Sequence, residues 1–280
     1  MRQERIIFMG TPDIARIYLQ SLIDNQYNII AAYTQPPRKQ GRGMKIHNSP
    51  VHKLAAKSNI PVFYPKNFST LDIIDKFDEL NSDIVIVMGY GVLLPKTILR
   101  IPIHGCINIH VSLLPRWRGA SPIEYAILYG DSTTGVSIFK LEEKLDTGPI
   151  IAAKKINIDK NITKENLTSQ LNTIGTALLN KTLPNFFDKK ISLQKQNDVN
   201  ATYAKKITPE IRKINFNNEV NTIFNQIRAF SPKPSAWLSF NNQRINIIQC
   251  SMKICDALPS KIINDQFHIG CNNGKIIPEI

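Results

Sequence analysis

Asn108, His110 and Asp146 are the residues of this chain whose types and spacing could do chemistry together. Asn108-Ile109-His110 ends an apolar run that begins at Cys106, and a strand there would put the amide and the imidazole on one face, because side chains alternate with period two. Asp146 lies in Leu145-Asp146-Thr147-Gly148, a turn-forming stretch from which a carboxylate could fold back beside the imidazole, set its tautomer and take up a proton. The trio holds no serine or thiol, and Cys106 sits inside the apolar run, so a covalent intermediate is not expected. An amide donor beside an imidazole suits an oxyanion that develops as a tetrahedral centre forms, and a carboxylate suits removal of a proton from an attacking amine. Direct acyl transfer is the reaction class. Taken singly, the three residues have plainer readings as a strand-end amide, a core histidine and a turn aspartate.

The elements that must position them alternate between strand and helix patterns. Residues 6–9, 28–33, 62–64, 84–88 and 106–110 read as buried strands, and residues 12–22 as the first helix. Residues 122–129 suit a helix, 136–141 and 149–156 further strands, and 165–187 a long closing helix. The class is α/β, with a Rossmann-like, mostly parallel sheet. Residues 192–202 are polar without periodicity and read as a connection, beyond which residues 214–216, 236–240, 245–249 and 267–270 are short apolar runs parted by Asn, Pro and Gly. Those predict a small β-barrel, OB-like. The expected division is a catalytic domain over 1–190, a linker over 191–206 and a C-terminal domain over 207–280. Gly10-Thr11-Pro12 follows the first strand, but the G-x-G-x-x-G spacing is missing and Pro12 removes an amide that a phosphate loop would use, so NAD is rejected.

Composition bounds the rest. The 280 residues carry a formal charge of +13, which favours a polyanionic partner, although a basic surface can also serve solubility alone. Between Asn25 and Leu71 there is no Asp or Glu, while Arg38, Lys39, Arg42, Lys45, Lys53, Lys57 and Lys66 supply seven cations. A basic loop near 35–48, with Gly41 and Gly43 flanking Arg42, could contact RNA phosphates or could be a solvated surface. The four cysteines show neither a paired C-x-x-C spacing nor a dense disulfide pattern, and no His and Cys set forms a metal site. There is no signal-peptide core and no long apolar span. A cytoplasmic protein without membrane contact is expected, and a monomer.

Several motifs in order carry a resemblance. Phe8-Met9-Gly10-Thr11-Pro12-Asp13, Gly41-Arg42-Gly43, Tyr90-Gly91, the run from Asn108 through Ser112-Leu113-Leu114-Pro115 and residues 116–122 to Asp146-Thr147-Gly148, and residues 227–234 resemble the folate-dependent formyltransferases, in the branch that modifies tRNA. The resemblance implies transfer of a formyl group from 10-formyltetrahydrofolate, without a metal, to the α-amine of a charged initiator tRNA. It implies that Asn108, His110 and Asp146 are catalytic, and that Met88, Gly89, Tyr90, Ser112, Leu113, Leu114 and Pro115 border the folate. Arg38, Lys39, Arg42 and Lys45 in the insert, with Lys205 and Lys206 at the end of the linker and Lys233 in the second domain, would then meet tRNA. Formylation of an amino sugar or purine precursor, hydrolysis of the formyl-folate, and a catalytically quiet RNA-binding protein are the competing readings. Two departures stand out: Val111 fills a position where a small residue or proline is expected, and the chain stops at Ile280, where the family's terminal strands and basic tail would follow, so the last domain reads as truncated.

Overall fold

The computed structural model describes residues 3–40, 43–259 and 268–279; Gly41, Arg42 and Phe267 lie outside the described residues. In chain order the elements are β1 Ile6–Gly10, α1 Asp13–Asp24, β2 Ile29–Tyr33, β3 Arg38–Gln40, β4 Lys45–His47, α2 Pro50–Lys57, β5 Val62–Phe63, α3 Leu71–Asp78, β6 Ile84–Met88, α4 Lys96–Arg100, β7 Cys106–His110, β8 Arg118–Gly119 and α5 Pro122–Leu128. Then follow β9 Thr133–Lys140, β10 Ile150–Asn157, α6 Lys164–Phe187, β11 Tyr203–Ala204, α7 Pro209–Arg212, α8 Val220–Phe230, β12 Ala236–Phe240, β13 Gln243–Ile247, β14 Cys250–Ile254, β15 Ile269–Cys271 and β16 Gly274–Pro278. Contacts divide the chain into two compact units. The first contains residues 1–115, 136–154 and 171–201; the second contains 116–135, 155–170 and 202–280.

The first unit is built on a seven-stranded sheet in the order β10-β9-β7-β6-β1-β2-β5. Every residue of β1 and of β6 is buried, the mark of strands covered on both faces, and their unbroken apolar runs allow nothing else. Pairing is parallel from β5 through β7, but β9 runs antiparallel to β7, with Ile109 opposite Ile138 and His110 opposite Ser137. Chain order reverses at β1, which lies between β2 and β6, so the crevice beyond the carboxyl ends of β1 and β6 is where an open α/β sheet receives ligands. Helix α1 buries Ala15, Tyr18, Leu19 and Leu22 at helical spacing. Helix α2 starts at Ser49, whose hydroxyl accepts from the His52 N–H at 3.0 Å and is 2.6 Å from the Thr34 hydroxyl. This short helix, together with α3 and α4, escapes a periodicity reading because eight residues or fewer hold only two turns of signal.

Residues expected only to connect are partly built in. Gln194 pairs with Ile150 as an isolated bridge, Gln196 is buried, and in the second unit β11 pairs with β8. Gly119 permits that last pairing, since a Cβ there would stand 2.7 Å from the Ala204 carbonyl oxygen.

The second unit's described strands form an antiparallel pair, β12-β13, and a triplet in which β16 lies between β14 and β15. Residues 214–216 are not the strand their apolar character predicts. Ile214 instead donates its N–H to Trp237 at 2.8 Å and buries its side chain against α8, which stands where the sequence reading has no helix. Val220, Ile223, Ile227 and Phe230 of α8 form the core with Ala236, Leu238, Ile247 and Ile276. Within this unit Arg228 is buried; its guanidinium donates twice to Asn225 Oδ1, at 2.8 and 3.0 Å, and to the Ile162 carbonyl at 3.2 Å, so it ties α8 to the loop before α6. Burial lowers the Arg228 pKa from its ordinary value, against the opposing charge of Asp159. No helix among the described residues is long and apolar enough to cross a membrane. Arg228→Met should lower stability by roughly 2–4 kcal/mol in urea denaturation, because a similar volume remains while buried carbonyl oxygens lose their donor; an unchanged midpoint would show that the tie carries no stability.

Candidate active site

Strand β7 ends at His110, and its alternation turns Asn108 and His110 to one face, as their spacing requires. Both flank the antiparallel β9, with Asn108 opposite Phe139 and the His110 ring 6.5 Å from the Phe139 ring, edge to face. The imidazole Nδ1 stands 3.7 Å from Asp146 Oδ2, and the side chains are only 6% and 8% exposed. Thirty-six positions of sequence separation have therefore been closed to one ion-pair distance in a dry setting.

The loop that delivers Asp146 is fixed by backbone contacts. Gly148 approaches β9 so closely that a Cβ would collide with the Lys140 carbonyl oxygen, and the Lys140 N–H donates to Pro149 O at 2.9 Å. Asp146 itself adopts a left-handed φ of 53°, a conformation that aspartate tolerates better than most side chains. Gln196 then donates its amide to two carbonyls of the loop, Asp146 O at 2.8 Å and Gly148 O at 2.7 Å. Sequence reasoning misses Gln196 because it lies in a polar, aperiodic stretch; no local pattern distinguishes it from its exposed neighbours.

Beyond His110 the chain turns sharply into the Ser-Leu-Leu-Pro box. Ser137 fastens that turn, donating its hydroxyl to Ser112 O at 2.7 Å and accepting from the Leu114 N–H at 3.1 Å. Ser112 and Leu114 are buried, while Leu113 and Pro115 are half-buried; Val111 is buried as well. The other candidate folate contacts divide in the same way. Met88 is buried and the Tyr90 ring belongs to the hydrophobic core with Tyr33, Phe68 and Phe77, so Tyr90 offers its backbone rather than its ring. Its carbonyl accepts from Thr11 Oγ1 at 2.9 Å and from Gln35 Nε2 at 3.0 Å, which ties the turns after β1, β2 and β6 together at the switch point. Gly89 and Gly91 have φ of 56° and 76° and keep this edge free of Cβ atoms, a surface that a flat ring can approach. Burial pushes the Cys106 thiol up to about 12, which leaves no nucleophilic thiolate near the pair.

Among the candidate RNA contacts, Arg38 and Lys39 on β3 and Lys45 on β4 are exposed in an antiparallel hairpin, a form the sequence shows only as a loop. Lys205, Lys206 and Lys233, in the second unit, are also exposed. In that unit Trp117 is buried with a φ of 60° and donates from Nε1 to Asp131 Oδ2 at 2.7 Å, while Arg116 grips the same carboxylate at 2.8 and 2.5 Å and lies 4.3 Å over the indole. Arg118 is fully buried. Among the described residues, no group of three or more His, Cys, Asp or Glu could hold a metal ion.

The chain as a whole is similar to known proteins. The formyl transferase family matches residues 4–183, and its C-terminal domain family matches residues 206–279. The methionyl-tRNA formyltransferase of Ehrlichia ruminantium (strain Gardel) is 40% identical over 98% of this chain and 90% of that protein, and the one of Wolbachia sp. subsp. Drosophila simulans (strain wRi) is 42% identical over 99% and 90%. Among solved structures, WlaRD, a sugar 3N-formyl transferase crystallised in the presence of dTDP and 5-N-formyl-THF, superposes with a TM-score of 0.73 at 23% identity, covering 100% of this chain and 98% of its own. A Helicobacter canadensis N-formyltransferase in complex with folinic acid and dTDP-3-aminofucose gives 0.72 at 22%, over 99% of each chain; likeness at that identity speaks for the fold. The chain belongs to the formyl transferase family and stands within it beside the methionyl-tRNA formyltransferases.

Proposed function

We propose that the protein transfers the formyl group of 10-formyltetrahydrofolate to the α-amine of methionyl initiator tRNA; the name of its relatives at 40% and 42% identity, methionyl-tRNA formyltransferase, supports methionyl-tRNA as the acceptor. The observation that carries the reading is the buried approach of His110 Nδ1 to Asp146 Oδ2, 3.7 Å apart at the carboxyl end of β7, with Asn108 on the same strand face. The folate supplies the formyl carbon. The uncharged amine attacks it, a C–N bond forms, and the Asn108 amide donates to the oxygen as it gains charge. His110 assists that oxygen and relays the amine proton; Asp146 orients the ring and receives the proton, directly or through water. Collapse returns the carbonyl and breaks the bond to the folate nitrogen, which takes up the proton that Asp146 had received, so the trio returns to its starting state. No acyl-enzyme forms.

The folate is assigned to the edge at Met88, Gly89 and Tyr90 and to Ser112, Leu113, Leu114 and Pro115. The RNA is assigned to Arg38, Lys39 and Lys45 of the hairpin insert, to Arg42, and to Lys205, Lys206 and Lys233. The assignment corresponds to a catalytic region over 1–190, a connection over 191–206 and an RNA-binding region over 207–280, in a monomer working in the cytoplasm. The deciding experiment offers the enzyme formyl donor with charged initiator tRNA and, separately, with a small amino-sugar acceptor. Transfer to tRNA alone is expected; transfer to the sugar alone would overturn the reading.

Asn108→Ala, His110→Ala and Asp146→Ala should each cut turnover at least about 100-fold, the scale of losing an oxyanion donor or an acid–base group, with circular dichroism unchanged. Near-normal transfer by His110→Ala would remove it from the mechanism. Gln196→Leu and Gln196→Glu, which take the donor from the Asp146 loop, should lower kcat by roughly 10- to 100-fold while the KM for tRNA holds, since a displaced catalytic group costs rate more than binding. If both variants turn over at the parent rate, the clamp is not needed. Deleting residues 41–45 should raise the KM for tRNA and flatten its salt dependence without altering the KM for the formyl donor, because phosphate contacts and their released counterions are lost; equal weakening of both substrates would mark the hairpin as structural.

A further inference from the structure

The first unit carries a second basic surface, which the insert does not include. Helices α1 and α2 pack side by side and leave between them an open groove of about 440 Å³, lined by Asp13, Arg16, Gln20, Pro50, Lys53 and Lys57. Val51 and Ala55 face the core, so Lys53 and Lys57, one turn apart, stand on the outer face of α2 and are exposed. Across the groove Arg16 is held by Asp13 at 2.7 Å, which fixes its direction and neutralises it in part; the two lysines have no carboxylate partner among the ion pairs of the described residues. The groove has no aromatic wall on which a base could stack, and its cations sit on long flexible stems, a lining suited to a polyanion's backbone rather than to a small nucleotide.

Its position relative to the insert points the same way. The hairpin β3-β4 leads through Asn48 and Ser49 straight into α2, and the contact of Ser49 with Thr34 pins the hairpin's base where the helix begins. No acidic residue interrupts the chain between Asn25 and Leu71.

We propose that the groove between α1 and α2 is a sugar-phosphate track, in which Lys53 and Lys57, with Arg16 opposite, hold RNA that the hairpin insert engages. The proposal rests on the tRNA-directed reading above and adds to it a surface separate from the reacting groups. Its test is the binding of initiator tRNA, followed by fluorescence anisotropy between 50 and 200 mM salt, for the parent and for the K53A/K57A and K53E/K57E proteins. K53A/K57A should reduce the slope of log affinity against log salt by about 1.4–1.8, the release expected for two phosphate contacts, and K53E/K57E should weaken binding further. K189A/K190A, which removes two charges from another exposed site of the same unit, should leave the slope in place. A parent-like slope in K53A/K57A would overturn the track, as would an equal change in K189A/K190A, which would show a net-charge effect, or loss of labelled polyaspartate binding in K53A/K57A with tRNA binding intact, which would show an acidic polypeptide as the occupant. Anisotropy does not depend on turnover: a parent protein that binds tRNA but formylates none would sink the functional reading and leave the groove to be judged by its slope.

Discussion

The close passage of Gly148 over the end of β9 is the constraint on which the site depends. A side chain there would collide with the Lys140 carbonyl, so only glycine lets the loop turn back at that point, and the bond from Lys140 N–H to Pro149 O closes it. Asp146 is thereby carried to His110 by backbone geometry, not by the attraction of the two side chains. A left-handed residue other than glycine costs roughly 1–2 kcal/mol, and the two hydrogen bonds from Gln196 offset that at about 1 kcal/mol each. The carboxylate is thus held beside His110 by the fold itself, as the proposed role of orienting the ring and receiving a proton requires.

Sheet topology explains why the proposed chemistry sits where it does. The reversal of strand order at β1 opens a crevice at the carboxyl ends of β1 and β6, and the next strand outward, β7, ends in His110. Turning β9 antiparallel lets Ser137 stand opposite His110, where its hydroxyl fastens the Ser-Leu-Leu-Pro turn. The hairpin insert and α2 lie outside this framework: they occupy the crossover between β2 and β5, so cationic surface can be added there without disturbing the strands that hold the trio.

How much of this could be read from residues alone depended on whether the signal was local. The buried strands were legible because β1 and β6 are unbroken apolar runs and β7 carries its Asn-x-His alternation within five residues. Gln196 was not legible, since its two partners lie about fifty positions away and its neighbours are polar. The core role of the Tyr90 ring was hidden because a tyrosine beside glycines reads equally well as a ligand contact. Helix α8 stands where the sequence reading places no element, although Val220, Ile223, Ile227 and Phe230 lie at helical spacing, and Ile214 looks like strand because burial against that helix needs the same kind of side chain. The Asp131 clamp on Arg116 and Trp117 joins residues fourteen and fifteen positions apart across a helix, beyond the reach of any single period.

The central claim is that His110 and Asp146 work as one unit. A double-mutant cycle on the rate of formyl transfer, comparing His110→Ala, Asp146→Ala and the combined variant under single-turnover conditions, tests it most directly. The account predicts that the combined variant is about as slow as the slower single variant, because either substitution alone already disables the pair. A combined loss equal to the product of the two single losses would mean that the residues act independently, and would contradict it.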